Sequence, residues 1–353
     1  MYIHTFEVSS ILTNKAFYNI QNILRTKDIS KWEGEPEAFI YWGLSDKGIL
    51  IHMFRIKKKG YYSYSISYRI SARRVIDNDN FVGLFNINGY PALEKKVNKL
   101  LKEECNDLPK LKKCKLKRLD FCVNTELESQ EEVKAYIKTC KRSNIPSKLE
   151  LRRYYDYVSK RQKCNKDDYT VYSSKYVEVS IYNKYAQMTK EKIGVFPEKE
   201  IERAKNIVRI EIRCMEGKIK VLQKKYNIES ISDFMMQGNK IGEELFEFYL
   251  RKMFGEGKIC TLKEAVQNVK LSGLKKENQD ILIEFLEEAN LSRSVADTIS
   301  LYKNLIGKTE VKRIIYMLDL IDTNYVTITN KDCEVFENNY IPTPYELYQD
   351  FVN

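Results

Sequence analysis

Residues 115–124, KLKRLDFCVN, decide the fold, because the segment changes character midway. A lysine-dense approach, PKLKKCKLKRL (109–119), gives way to alternation. Leu119, Phe121 and Val123 stand on one side, and Arg118, Asp120, Cys122 and Asn124 on the other. Successive strand side chains point to opposite faces, so this is a strand with one apolar and one charged face. The pattern returns in YTVYSSKYVEVSIYNK (169–184), a hairpin whose second arm sets Val177, Val179 and Ile181 against Glu178, Ser180 and Tyr182. It returns once more in NIVRIEIRC (206–214), where Val208, Ile210 and Ile212 oppose Arg209, Glu211 and Arg213. Strands of this kind belong to antiparallel sheets with one face on a core.

Working outward, AFIYWGLSDKGILIHMFRI (38–56) carries a turn signal at Ser45–Gly48 between apolar runs. YYSYSISYRIS (61–71) alternates tyrosine and isoleucine with serine, and Lys57, Lys58, Lys59 and Gly60 before it read as a solvated hairpin tip. Helical spacing follows at 92–105 and 129–144, the second capped by Ser129 with Glu131 and Glu132 in its first turn. Further helices are expected at 240–253, 277–288, 294–305 and 310–320. The expected fold is therefore α+β: an antiparallel sheet covered by helices, its N-terminal part a diverged copy of the strand–helix–strand unit, followed by a small helical domain. Glycines at 255 and 257 and a charge switch place the boundary, giving a basic domain over 1–255 and an acidic one over 256–353.

That switch narrows the function classes. The chain has 353 residues and a net charge of +11. From Glu256 onward it has 11 Lys/Arg against 16 Asp/Glu, a net of −5, which leaves 49 against 33, or +16, before it. A basic main domain points to a polyanionic partner. No apolar run spans a bilayer and the N-terminus carries no signal-peptide pattern, so a cytoplasmic protein is expected. Eight cysteines without a C-x-x-C pair, and only His4 and His52, read as reduced thiols and argue against structural zinc.

If the three alternating strands are neighbours, Asp120, Glu178 and Glu211 converge with Tyr182 on one surface. Carboxylates suit a hard cation, Mg²⁺ or Mn²⁺, which would polarise a phosphodiester. A tyrosine could then attack the phosphorus, with Lys184 or Arg209 favouring the ionised phenol. Tyr182 is the first candidate nucleophile and Tyr185, three residues on, the second. Lys112, Lys113, Lys115 and Lys117 with Arg118, Arg209 and Arg213 are the candidate DNA contacts.

At KLKRLDFCVN, TVYSSKYVEVSIYNKYAQM and NIVRIEIRC the chain resembles the replication initiation factor family of rolling-circle plasmids, filamentous phages and some integrative elements. The family pattern is an R-x-D strand, a Y-x-K strand end followed by Glu or Gln, and an R-x-E strand. Here these are Arg118 with Asp120, Tyr182 with Lys184 and Gln187, and Arg209 with Glu211. LYKNLIGKTEVKRIIYMLDLIDTNYVTI and YIPTPYELY resemble related phage replication proteins. Two departures stand out: Asn124 where members often carry a second acidic residue, and Ser173-Ser174 where they often carry Gly-Ser. The resemblance implies site-specific nicking and joining of origin DNA, single-stranded or cruciform, through a 5′-phosphotyrosine link and a divalent metal. A helicase and a second copy of the chain are the further partners it suggests. Two alternatives stay open: an origin-binding initiator without chemistry, and a metal-dependent nuclease that activates water.

Overall fold

The computed structural model describes residues 1–27, 32–35, 37–146, 148–151, 154–156, 161–163, 168–190, 196–292, 294–336 and 340–352; Cys164 lies outside them. Thirteen strands are described: β1 (Tyr2–Leu12), β2 (Trp32–Glu35), β3 (Ala38–Tyr41), β4 (Ile49–Lys58), β5 (Tyr61–Ser71), β6 (Phe85–Asn86), β7 (Lys115–Glu126), β8 (Glu150–Leu151), β9 (Tyr154–Asp156), β10 (Arg161–Lys163), β11 (Tyr169–Ser173), β12 (Val177–Asn183) and β13 (Ile207–Met215). Eleven form one sheet in the order β2-β3-β4-β5-β1-β7-β13-β12-β11-β8, with β6 against the start of β1. Each described pairing in that sheet is antiparallel, and β9 and β10 pair separately. The chain is α+β, as its alternating strands and spaced helices imply.

The strand order contains a repeat. In the first half, β1 leads into the helix Asn14–Lys27, and a β3-β4-β5 meander returns so that β5 pairs with β1. In the second, β7 leads into the helix Gln130–Cys140, and a β11-β12-β13 meander returns so that β13 pairs with β7. The halves meet where β1 runs antiparallel to β7. The duplication expected from the sequence is thus a matter of topology.

Local chemistry explains the element ends. The Ser129 hydroxyl accepts from the Glu132 N–H at 3.1 Å, satisfying one of the orphan donors of the helix that follows. Gly60, at φ +82°, lets β4 turn into β5 in two residues. Gly255, at φ +68°, ends the helix Gly238–Phe254 near the expected boundary.

The apolar core continues past that boundary. It joins Phe121 and Ile212 of the sheet to Phe285, Ile314 and Tyr348 of the C-terminal helices. Phe246 stacks on Tyr348 with ring centroids 4.8 Å apart, and Tyr2 meets Phe351 edge-on at 5.2 Å. Of the C-terminal helices, Lys276–Leu291, Val295–Leu305 and Lys308–Leu320 begin and end within a few residues of their predicted positions, whereas Leu262–Leu271 was not anticipated. Among the described residues no helix is long and apolar enough to cross a membrane.

Candidate functional site

The register of β12, β13 and β7 builds a grid of nine side chains on the face opposite the core. One row is Glu178, Arg213 and Asp120; the next is Ser180, Glu211 and Cys122; the third is Tyr182, Arg209 and Asn124. The charged face is therefore one surface, made by three neighbouring strands. It is not open to solvent: Asp120 and Arg209 are fully buried, and Glu178 and Glu211 nearly so.

Arg213 holds the first two rows together. Its Nε donates to Asp120 Oδ1 at 3.3 Å, its Nη1 to Glu178 Oε1 at 2.5 Å and its Nη2 to Glu211 Oε1 at 2.8 Å. Arg118 donates through Nε to both oxygens of Asp120, at 2.8 and 3.1 Å. Burial, reinforced by the charge of Glu211, pushes the Asp120 carboxyl up to about 6 against the pull of Arg118 and Arg213. Burial also raises Glu211, but Arg213, Arg118 and Arg209 outweigh it and hold that carboxyl below its ordinary value.

The third row carries the phenol. Tyr182 Oη donates to Glu211 Oε2 at 3.3 Å. Burial and then the Glu211 charge push the phenol well above its ordinary range, while Arg209 favours its ionisation. Arg209 Nε donates to Asn124 Oδ1 at 2.7 Å, Nη2 reaches the Val82 carbonyl, and Nη1 is buried without an acceptor. Asn124 also donates to the Val82 carbonyl, at 3.0 Å. Where the resembled family often places a carboxylate, this chain thus has an amide that fastens a covering loop.

The cover comes from two segments. Phe81 and Val82 reach over from the first half; Met188, Phe196, Ile201 and Ala204 come from the stretch between β12 and β13. Lys184 and Tyr185 start the helix Lys184–Lys190, and Lys184 Nζ donates to Gln187 Oε1 at 2.8 Å. Tyr185 packs in the apolar cover, whereas Tyr182 stands among the charged groups.

Beside the cover a cleft of about 450 Å³ is lined by His4, Arg73, Arg74, Lys184, Gln187 and Phe196. His4 sits where β1 bulges opposite Asp120, between the pairs Ile3–Phe121 and Phe6–Leu119. Burial, then Arg209, Lys184, Arg118 and Arg213, lower its pKa well below the ordinary value, so its imidazole is neutral at pH 7. His4, Arg73 and Arg74 are site residues that sequence reasoning missed. The available signal was a stretch from Lys47 to Ile76 with eight Lys or Arg and no Asp or Glu.

The candidate DNA contacts divide into two groups. Arg118, Arg209 and Arg213 are occupied inside the sheet face, because buried carboxylates and a buried carbonyl need their N–H groups. Lys112, Lys113 and Lys115 are exposed at the opposite end of β7, and Lys117 pairs with Glu216 at 2.8 Å.

The carboxylates expected to hold Mg²⁺ or Mn²⁺ are the ones that Arg213 bridges. The three carboxylates are already paired with Arg118 and Arg213, and Arg209 adds positive charge beside Glu211, so as arranged the donor set does not fit an added divalent cation. Among the described residues no group of three His, Cys, Asp or Glu side chains is disposed to hold a metal ion. Comparison with known proteins returned no matching family model, curated protein or solved structure.

Proposed function

We propose that this chain initiates rolling-circle replication by nicking DNA through a tyrosine. The observation that carries the reading is the meeting of the second and third rows of the grid, where the Tyr182 phenol, the Glu211 carboxylate 3.3 Å from it and the buried Arg209 come together beside a basic cleft. In the proposed step Tyr182 Oη attacks the phosphorus and the P–O3′ bond breaks. Glu211 takes the phenol proton, the departing O3′ takes one from Lys184, and the 5′-phosphate remains on the tyrosine. Arg209 stabilises the phenolate as it forms. Gln187 holds Lys184 in place. Joining is the reverse attack by a 3′-hydroxyl. No step runs through a metal.

One observation favours a non-catalytic initiator instead: the grid's carboxylates and arginines satisfy one another, as a purely structural network would. A denaturing gel separates the readings. The protein is incubated with an end-labelled pool of random single-stranded oligonucleotides, in Mn²⁺ and in EDTA, with Tyr182→Phe and Tyr185→Phe alongside. A labelled protein band that Tyr182→Phe removes and Tyr185→Phe keeps is the expected result. Cut DNA without the band indicates a nuclease that uses water. Binding with neither band nor cutting leaves the non-catalytic initiator.

A further inference from the structure

Two lysine runs far apart in sequence lie toward the same end of the sheet. The β4–β5 hairpin ends in Lys57, Lys58 and Lys59, all exposed. Lys112, Lys113 and Lys115 precede or begin β7, and all three are exposed as well. β1 joins them: Ser9 pairs with Lys115, Ser10 Oγ donates to the Lys113 carbonyl at 3.4 Å, and Leu12 pairs with Tyr64 on the hairpin. From Tyr64 the hairpin continues past the end of β1 for four residues, about 13 Å at about 3.3 Å per residue.

The same end exposes large apolar groups. Ile11 is 80% exposed and Tyr61 61%, and they border a hollow with Tyr62 and Leu12. Clustered cations around exposed aromatic and aliphatic groups suit a ligand with a charged backbone and apolar interior edges. The 30 residues from Lys47 to Ile76 contain no acidic side chain; between this tip and Arg73 and Arg74 in the cleft stands Arg69, which pairs with Glu7 of β1 at 3.6 Å.

We infer that the lysine-tipped hairpin and the 112–115 segment form a docking surface for double-stranded DNA, separate from the grid. A two-stranded ribbon has the width that a major groove of about 12 Å admits. β5 has eleven residues, Tyr61–Ser71, a rise of about 33 Å from first to last, which is close to one duplex turn. A duplex held at the tip would therefore present a site one turn away to the cleft. The inference rests on the DNA-processing reading above and adds the form of DNA held and the place that holds it.

The test is fluorescence anisotropy of a labelled random-sequence duplex and of its unpaired strand, across a salt series. It compares the wild type with K57Q/K58Q/K59Q and K112Q/K113Q/K115Q. Each triple variant is expected to flatten the dependence of log affinity on log salt by about one per lysine for the duplex. The unpaired strand should change less, and the covalent band on single strands should persist. A duplex slope equal to that of the wild type in both variants overturns the docking surface and leaves the nicking proposal standing. A greater loss for the unpaired strand assigns the tip to single strands and also overturns it. A wild type that binds neither probe removes the nicking reading as well. Unchanged melting temperatures keep folding out of the comparison, since all six side chains are exposed.

Discussion

The two halves of the sheet share one topology and differ in what stands on the face away from the core. In the second half the grid rows are Glu178–Arg213–Asp120, Ser180–Glu211–Cys122 and Tyr182–Arg209–Asn124. The corresponding rows of β4, β5 and β1 are Leu50–Arg69–Glu7, His52–Ser67–Ser9 and Phe54–Ser65–Ile11. Each half has an arginine facing a carboxylate in its first row. Arg69 and Glu7 are 3.6 Å apart, with side chains 45% and 27% exposed. Arg213 and Asp120 are 3.3 Å apart, with 22% and 0%. The same pairing is thus a solvated contact on one side and an obligatory one on the other. The two pairs stand at matching places in the strand arrangement, so burial rather than topology makes the difference.

The strongest way to break this comparison is to delete the arginine in each half. Arg213→Ala leaves three carboxylates short of a partner and is expected to cost about 3–5 kcal/mol in urea unfolding. Arg69→Ala should cost no more than about 1 kcal/mol. Equal losses would show that burial does not set the energetics.

Next in size is a pH effect confined to the covered half. The folded pKa of Asp120 is raised from 3.8 to about 6, so the folded state holds this proton more tightly than the unfolded one. Raising the pH from about 4 through 6 therefore removes stability, by roughly 2–3 kcal/mol. Glu211, held below its ordinary value, acts oppositely and loses its contribution as pH falls through its lower range. Urea unfolding at pH 4.5 and pH 7 should show wild type losing ground to Asp120→Asn as pH rises.

Two smaller effects sharpen the contrast. Asn124→Ala unfastens the Val82 loop and leaves Arg209 Nε unpaired, for about 1–2 kcal/mol and faster amide exchange at Phe81 and Val82. Ser67→Ala in the open half removes a single hydrogen bond of 3.0 Å to Glu7, for about 0.5–1 kcal/mol by thermal melting.

What the sequence displayed follows the same division. β7, β12 and β13 were legible because their alternation is unbroken, so the faces of Asp120, Glu211 and Tyr182 could be assigned before their neighbours were known. β1 was not. Register shifts between Ile3 and Phe6 and between Glu7 and Val8 interrupt its period, and without that strand His4 had no place. The helix Asn14–Lys27, which buries Phe17, Ile20 and Leu24, went unread with it. The pairing of arginines with carboxylates was also hidden. Alternation says which side chains share a face, but not whether that face meets water, metal or another segment. That answer came from Val82, more than 40 residues from Asn124 and 127 from Arg209.

The β1–β7 seam has a consequence for dividing the chain. Each half has an antiparallel meander and a crossover helix of its own, so a cut between β6 and β7 looks like a natural way to make two smaller proteins. Either fragment would expose a strand of eleven or twelve residues along a newly bared edge, with its row of N–H and C=O groups unmatched. Such an edge recruits whatever strand it meets, most readily another copy of the same fragment. The residues between β6 and β7, including the helix Tyr90–Glu104, therefore act as a tether that keeps each edge supplied with its proper neighbour from the moment of synthesis.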